Sequence, residues 1–444
     1  MNSDTIFALA SGGGKAGVAV YRLSGSAAAD AYAAMAGSEI PTPRQAVRVH
    51  LVDPATTTPV DDGLAIWFPA PASFTGEDVI EFHLHGGRAV HGAMLGALAA
   101  VPGLRPAEPG EFTRRAFENG KMDLTQAEAL ADLVDAETAA QRRQAQRQMG
   151  GALAEIYDRW RERLLAAIAK CEAEIDFAED DLPAGLRQEV IQSVTDLDNE
   201  LAAHLDDHGR GERLRSGLSI AILGPPNAGK SSLLNRLAER DVAIVSERAG
   251  TTRDVIEVHL DLGGYPVVLA DTAGLREARD ELEDEGVRRA LARASGADVK
   301  ILVFDGAAWP ELDRHTLDQL DDDAVTVVNK IDLGLDLNQS RQTDLKAIGI
   351  SAKTGSGIDR LLATLSAVAE EMCAGNDSPA LTRTRHRLAL LECREALQRF
   401  QAAGEVELAA EDLRLAARAI GRVTGRVDVE DILDRIFSEF CIGK

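Results

Sequence analysis

Gly224-Pro-Pro-Asn-Ala-Gly-Lys-Ser231 fits the phosphate-loop pattern G-x-x-x-x-G-K-[ST]. An apolar run, Leu218 to Leu223, precedes it, and Leu233, Leu234 and Leu237 follow at helical spacing. That is the strand, loop and helix order such a loop needs. Three more segments follow in order, each closing an apolar run. Asp271-Thr272-Ala273-Gly274 ends Val267 to Ala270, Asn329-Lys330-Ile331-Asp332 ends Val325 to Val328, and Ser351-Ala352-Lys353 ends Ile348 to Ile350. Open α/β sheets bind ligands at the carboxyl edge of their parallel strands, where all four segments would fall. The combination predicts a doubly wound, mostly parallel sheet that binds a guanine nucleotide.

Each segment has a chemical reason. Backbone N–H groups of Asn227 to Ser232 and the following helix N-terminus offer positive partial charge to phosphates. Lys230 reaches the β and γ oxygens, and Ser231 offers a hydroxyl to Mg²⁺. Asp271 is placed for the Mg²⁺ shell, and Gly274 for the γ-phosphate. Asp332 selects the base: an ionised carboxylate only accepts, and guanine offers two donors on the edge it reads. Gly250-Thr251-Thr252-Arg253-Asp254 lies where a first switch belongs, with Thr252 the candidate second Mg²⁺ hydroxyl. Leu275 stands where Ras-type enzymes carry a water-orienting glutamine. The acidic stretch Asp280 to Glu285 follows within reach, although most such carboxylates are solvated helix residues.

The 444 residues predict two or three domains, and 45% apolar content is ordinary for globular cores. Cys171, Cys373, Cys393 and Cys441 are far apart, which argues against a disulfide framework or a zinc ribbon. No leader pattern and no run near the ~20 apolar residues of a membrane span is seen, so a cytoplasmic protein without a membrane partner is expected. The formal net charge of −24 implies that a basic partner supplies much of any RNA-binding surface.

Residues 1 to 118 alternate short strand-like runs (5–9, 18–23, 63–68 and 79–84) with Gly/Pro punctuation and one helical stretch at 91–100, an α+β pattern. From Asp123 the periodicity becomes helical, with Thr125-Gln-Ala-Glu128 read as a capping box and a long helix carrying Leu153 to Ile175. Helical spacing returns after the nucleotide domain, at 390–400, 408–423 and 429–440. The expected division is 1–118, 119–215, 216–372 and 373–444, with the third piece inserted into a helical domain. Glu81, His83 and His85 alternate on one strand face, a spacing that could ligate a metal but without a further strong ligand; a polar ligand pocket, or plain surface, is the better reading. Arg114, Arg115 and Lys121 put charge at the first junction, where a charged turn is the plain alternative.

Asn227-Ala-Gly-Lys-Ser-Ser-Leu-Leu-Asn235, Pro109-Gly-Glu-Phe-Thr with Asn119-Gly-Lys121 and Gln126-Ala-Glu128, Phe74-Thr-Gly-Glu-Asp78 and the terminal Cys441-Ile-Gly-Lys444 together resemble the MnmE (TrmE) family of tRNA modification GTPases. The resemblance covers the whole chain. It implies a homodimer, an N-terminal domain binding formyl- or methylene-tetrahydrofolate, and a heterotetramer with an FAD-dependent MnmG-type flavoprotein. That pair would modify the wobble uridine, position 34, of certain tRNAs with a carboxymethylaminomethyl-type group at C5. Folate contacts fall on Arg22, Glu81, Lys121 and Lys444. K⁺ falls on Asn227 and the Ser246 to Thr251 loop, including Arg248, and the carboxylate assisting hydrolysis on Glu283. Gly12-Gly-Gly-Lys15-Ala-Gly17 stands where the family has a Pro-Pro-Gly-Arg-Gly-Gly-like loop, and Gly-Pro-Pro opens the phosphate loop where Gly-Arg-Pro is common.

Overall fold

The computed structural model describes residues 4–176, 185–240, 242–244, 257–271, 296–335, 346–375, 379–427, 430–438 and 440–443. Two compact units emerge, one of 1–131, 148–168 and 413–444, the other of 132–147 and 169–412.

In the first unit, β1 (Thr5–Leu9), β2 (Ala16–Ser24), β3 (Val47–Val52), β4 (Pro59–Phe68), β5 (Val79–Gly86) and β6 (Leu104–Pro106) form one sheet in the order β3-β4-β5-β2-β1-β6. All neighbours are antiparallel except β1 and β6. Alternation along β5 sends Ile80, Phe82 and Leu84 into a core with Tyr21, Leu23 and Leu51. Helices α1 (Ala28–Ala36) and α2 (Arg88–Ala100) cover that face with Tyr32, Met35, Met94 and Leu98. The period of two leaves Glu81, His83 and His85 on the opposite face of β5. Helices α3 (Glu111–Glu118) and α4 (Leu124–Asp135) follow.

The start of α4 corrects the sequence reading. Asp123 Oδ1 accepts from Gln126 N at 2.9 Å, and Gln126 Oε1 accepts from Asp123 N at 3.0 Å, so the reciprocal cap is Asp123 with Gln126. A carboxylate is the stronger acceptor at that boundary, and Thr125 and Glu128 are buried inside the helix instead. Arg115 is likewise no surface charge. Its side chain is only 5% exposed, and it pairs with Glu111 at 2.9 Å and Glu77 at 3.1 Å. Burial alone would push the Glu111 carboxyl up, but Arg105, the Glu108 N–H and Arg115 together hold it below its ordinary value.

The second unit is built on β7 (Leu218–Leu223), β8 (Ala243–Ile244), β9 (Glu257–Leu262), β10 (Tyr265–Asp271), β11 (Val299–Asp305), β12 (Val325–Asn329) and β13 (Ile348–Gly349), in the order β13-β12-β11-β7-β10-β9-β8. Strands β13, β12, β11, β7 and β10 are parallel, with β9 and β8 added antiparallel, as a mostly parallel sheet requires. Central β7 and β12 are buried along nearly their whole length, as strands covered on both faces are. Helix α9 (Lys230–Ala238) buries Leu233, Leu234 and Leu237 in the core on one of those faces. Before the sheet come α5 (Ala139–Met149), which belongs to this unit up to Arg147, α6 (Ala152–Asp176), which belongs to it from Ala169, α7 (Leu186–Leu205) and α8 (Arg210–Ser216). After β11 and β12 come α10 (Arg314–Leu317) and α11 (Ile358–Cys373), then α12 (Thr384–Ala402), while α13 (Val406–Thr424), from Leu413 on, and α14 (Glu430–Ser438) belong to the first unit. Arg394 Nε of α12 bonds Asp198 of α7 at 2.9 Å, and Arg387 Nη1 donates to Leu205 O at 2.9 Å, so helices from before and after the sheet pack on each other. No helix among the described residues is long and apolar enough to cross a membrane.

Candidate active site

Four loops meet at the carboxyl edge of the second sheet. The first runs from β7 into α9, and its backbone is fixed by close approaches. A Cβ on Gly224 would collide with the Val303 carbonyl, and one on Gly229 with the Asn329 amide. Gly229 also takes φ +91°, which a side chain would strain. Asn227, within the loop, adopts φ +62° and is exposed. Lys230 Nζ donates to the Gly224 and Pro225 carbonyls at 2.8 and 2.9 Å, which holds its charge inside the loop. Ser231 and Ser232 are exposed on the first turn of α9. Asp271 closes β10 in register with Ile222 of β7.

Asn329 organises the base side. Only 2% exposed, it donates from Nδ2 to Ala228 O at 2.8 Å and accepts at Oδ1 from Ala352 N at 3.0 Å. One side chain thereby joins the phosphate loop to the Ser351-Ala352-Lys353 loop. Lys330 turns through φ +68°, and its Nζ donates to Asp305 Oδ2 at 2.6 Å. Burial would raise the Asp305 carboxyl, but Lys330 and the Ala307 N–H outweigh it and hold it below the ordinary range. Asp332 lies exposed in the 3₁₀ turn Ile331–Leu333.

Sequence reasoning missed two residues here, Asp305 and Arg236. Arg236, from the last turn of α9, donates through Nε to Ala352 O at 3.0 Å and through Nη2 to Lys353 O at 2.7 Å. A trans peptide points its C=O and N–H in opposite directions. With Ala352 O held by Arg236, the Lys353 N–H faces away from that guanidinium, and it meets no acceptor among the described residues. The neighbouring N–H groups are taken, Ala352 by Asn329 and Thr354 by Ser351 Oγ at 3.1 Å. An arginine spaced for a helix surface reads as solvated charge in sequence, so only the fold reveals it. Thr272, Ala273, Gly274, Ser246, Arg248, Thr251, Thr252, Leu275 and Glu283 lie outside the described residues.

The first unit carries a second constellation. Arg22 and Glu81 face each other across β2 and β5, and Arg22 Nε donates to Glu81 Oε1 at 2.9 Å. The guanidinium stands 5.3 Å from the Phe74 ring centre and 5.8 Å from that of Phe112, within cation–π range. Glu81 Oε2 approaches His83 Nε2 at 3.4 Å, and that buried nitrogen has no hydrogen-bond partner among the described residues. His85 turns to Asp61 at 3.0 Å, which separates it from Glu81 and His83. Among the described residues no group of three or more His, Cys, Asp or Glu could hold a metal. Lys121 Nζ donates to Pro71 O at 2.9 Å, and its stem would touch a Cβ on Gly76, so Arg22 and Lys121 border the same 70–78 loop. The tail is seated in this unit too. Ile442 bridges Pro109, and a Cβ on Gly443 would collide with Leu9 O, one residue from the Ala8 that pairs with Arg22. Lys444 lies outside the described residues.

Comparison with known proteins settles the family. The model for the MnmE helical domain matches residues 124–441, and that for the GTP-binding protein TrmE N-terminus matches residues 5–121. The tRNA modification GTPase MnmE of Paramagnetospirillum magneticum (strain ATCC 700264 / AMB-1) is 58% identical over 442 residues, 100% of each chain. The chain belongs to the MnmE family of tRNA modification GTPases. MnmE of Parvibaculum lavamentivorans is 56% identical, covering 99% of this chain and 100% of its own, and that of Rhodospirillum rubrum is 54% identical with 100% of both covered. As an MnmE-family member the chain is a GTPase, a hydrolase acting on GTP, in tRNA modification. The family's helical model runs on both sides of the seven-stranded sheet, in keeping with the contact between α7 and α12.

Proposed function

We propose that this chain is a potassium-assisted GTPase that acts with a flavoprotein partner. The pair installs a carboxymethylaminomethyl-type group at C5 of uridine 34 in certain tRNAs, using a tetrahydrofolate one-carbon unit. The observation that carries the nucleotide half is Asn329, which ties the phosphate loop to the Ser351 to Lys353 loop at once. A cradle that tolerates no Cβ at Gly224 or Gly229 fits a phosphate chain lying against the backbone. Lys230 would exchange its loop carbonyls for phosphate oxygens. Asp332 would accept from guanine N1–H and the 2-amino group, and the Lys353 N–H is free to donate to the base. Ser231 and Thr252 would hold Mg²⁺, with Asp271 in its shell. Asn227, Ser246, Arg248 and Thr251 would hold K⁺, whose charge substitutes for a catalytic arginine. Glu283 takes the water-positioning role that Leu275 cannot fill.

For the folate half, the orphaned His83 Nε2 beside Glu81 fits a heteroaromatic ligand bearing both donors and acceptors. Arg22 and Lys121 supply charge for a glutamate tail, and Lys444 would add to it, following the Cys441 to Gly443 segment whose Ile442 bridges Pro109. The division 1–118, 119–215, 216–372 and 373–444 belongs to this proposal, as do the homodimer, the FAD-dependent MnmG-type partner and a cytoplasmic location. Wobble-uridine analysis of tRNA from a strain lacking the gene tests it: modification should vanish and return with the wild-type chain. Unaltered uridine 34 in that strain would refute the reading. A ribosome-assembly factor or a one-carbon transferase with regulatory GTP would leave it unaltered.

A further inference from the structure

Helix α5 breaks the charge balance of the chain. The protein has 72 acidic against 48 basic side chains, yet Ala139-Ala-Gln-Arg-Arg-Gln-Ala-Gln-Arg-Gln-Met149 contains no carboxylate. At about 100° per residue, Arg142, Arg143, Gln146 and Arg147 share one side, and all four are exposed. Ala145 and Gln148 are buried on the other.

Among the described residues, Arg142 and Arg143 have no structural task that accounts for them. Helix α5 is already anchored by its N-terminal end: Gln141 Oε1 accepts from the Glu137 and Thr138 N–H groups at 3.0 Å, and Ala140 N donates to Gly264 O at 3.1 Å. Gln141 Nε2 adds a bond to Arg215 O at 3.1 Å. The side chains of Arg142 and Arg143 make no hydrogen bond or ion pair with any described residue. Arg147, one turn on, has a contact of its own. Two of the carboxylates that precede the helix are occupied as well. Asp132 takes Arg215 and Arg383, each at 2.8 Å, and Glu137 bonds His259 at 2.9 Å. Asp135, the third, also has a contact of its own.

We propose that the arginine face of α5 binds RNA phosphates and is a contact of this chain with tRNA. The proposal rests on tRNA being the substrate of the family. Arginine matches phosphate geometry through its planar fork, and glutamine is a common companion at phosphate and sugar contacts. The net charge of −24 does not forbid this. The Debye length is about 8 Å at physiological salt, so a phosphate on α5 responds to the charges beside it and little to the distant ones. The anchoring bonds to Gly264 and His259 also fix α5 to the β9–β10 hairpin, whose second strand ends at Asp271. RNA held on α5 is therefore held in a set relation to the sheet that carries the nucleotide.

The test is the binding of an unmodified tRNA transcript to the full chain, followed by fluorescence anisotropy across about 50–200 mM KCl, the range over which phosphate contacts show strong salt dependence. The double variant Arg142→Gln/Arg143→Gln should bind about tenfold more weakly at the middle of that range. Its slope of log K against log salt should be shallower by about 1.4–1.8, for two phosphate contacts at about 0.7–0.9 each. GTP turnover without tRNA should be unchanged, which shows that the variant folds and keeps loss of this contact distinct from failure of the GTPase. Equal affinity and slope in variant and wild type would overturn the proposal, as would a wild-type chain that binds no tRNA at the lowest salt. Unchanged tRNA binding with loss of a protein assembly would assign the face to a protein partner and overturn it too.

Discussion

Arg236→Met removes a guanidinium while keeping most of its aliphatic stem, and the structure says where the loss will be felt. Arg236 makes two charge-assisted bonds, to Ala352 O at 3.0 Å and Lys353 O at 2.7 Å. Buried bonds to a charged group are worth about 1.5–3 kcal/mol each, but this side chain is 32% exposed, so water replaces part of the loss. The peptide between Ala352 and Lys353 then loses its orientation and its N–H loses polarisation. A total of about 1.4 kcal/mol is expected on nucleotide affinity, a factor of about ten. Because the contact touches the base loop and not the phosphates, GDP and GTP should weaken by the same factor, and kcat at saturating GTP should stay near wild type. Equilibrium titration with fluorescent GDP and a non-hydrolysable GTP analogue, alongside steady-state turnover, measures all three quantities. Arg236→Lys should recover part of the affinity, since one ammonium reaches one carbonyl but cannot fork to two. Unchanged affinity in Arg236→Met would refute the reasoning. So would a fall in kcat with affinity intact, because that would place the arginine in the chemistry of hydrolysis.

Asp332→Asn should shift preference from GTP toward xanthosine triphosphate, since an amide donor now meets the base where an acceptor stood; competition binding with both nucleotides checks it. GTP turnover should fall steeply when K⁺ is replaced by Na⁺ at constant ionic strength, and Asn227→Ala should abolish that cation response; equal rates of the wild-type chain in the two salts would remove K⁺ from the mechanism. Arg115→Met should destabilise the chain by about 3 kcal/mol at neutral pH, because it strips a buried carboxylate of one partner. Glu111 is held below its ordinary value of 4.5 in the folded state, so its contribution is present above that value and is lost as pH falls through the folded pKa. The stability gap between variant and wild type, read from denaturant titrations, should therefore be widest near neutrality and narrow in acid.

What was legible in the sequence follows from how local each signal is. Strand β7 matches its expected bounds, Leu218 to Leu223, because a buried parallel strand is a continuous apolar run that a glycine-rich loop must end. Strands β1 and β5 were legible for a related reason, the period of two that sends Ile80, Phe82 and Leu84 inward. Strand β3 and helix α1 were not read. Val47-Arg-Val-His-Leu-Val52 is an edge strand with exposed Arg48 and His50, and Ala28 to Ala36 is too rich in alanine to mark a face. The cap of α4 was misplaced by two residues because Ser/Thr and Asp both satisfy an N-cap pattern, and only the direction of the hydrogen bonds decides between Asp123 and Thr125.

The functional residues divide along the same line. Lys230, Asn329 and Asp332 are legible because phosphate and guanine impose residue types at fixed spacing along one chain. Arg236 and Asp305 serve the same loops through backbone carbonyls and a lysine, contacts made across separations of 116, 117 and 25 residues. A carbonyl leaves no mark on composition, so any donor reaching it serves, and no motif records the choice. The terminal segment shows the opposite case. Gly443 fits only because its missing Cβ lets the chain lie against Leu9 O, and Ile442 bridges Pro109 at the start of the Pro109-Gly-Glu-Phe stretch. Two motifs at distant points in the sequence are therefore two halves of one contact, and each constrains the other. That contact sets Ile442 and Gly443 beside the strand carrying Ala8, whose partner is Arg22. An amphipathic helix running into a short tail announces that the tail is placed; where it is placed is decided by which backbone can approach it, and that is a property of the fold alone.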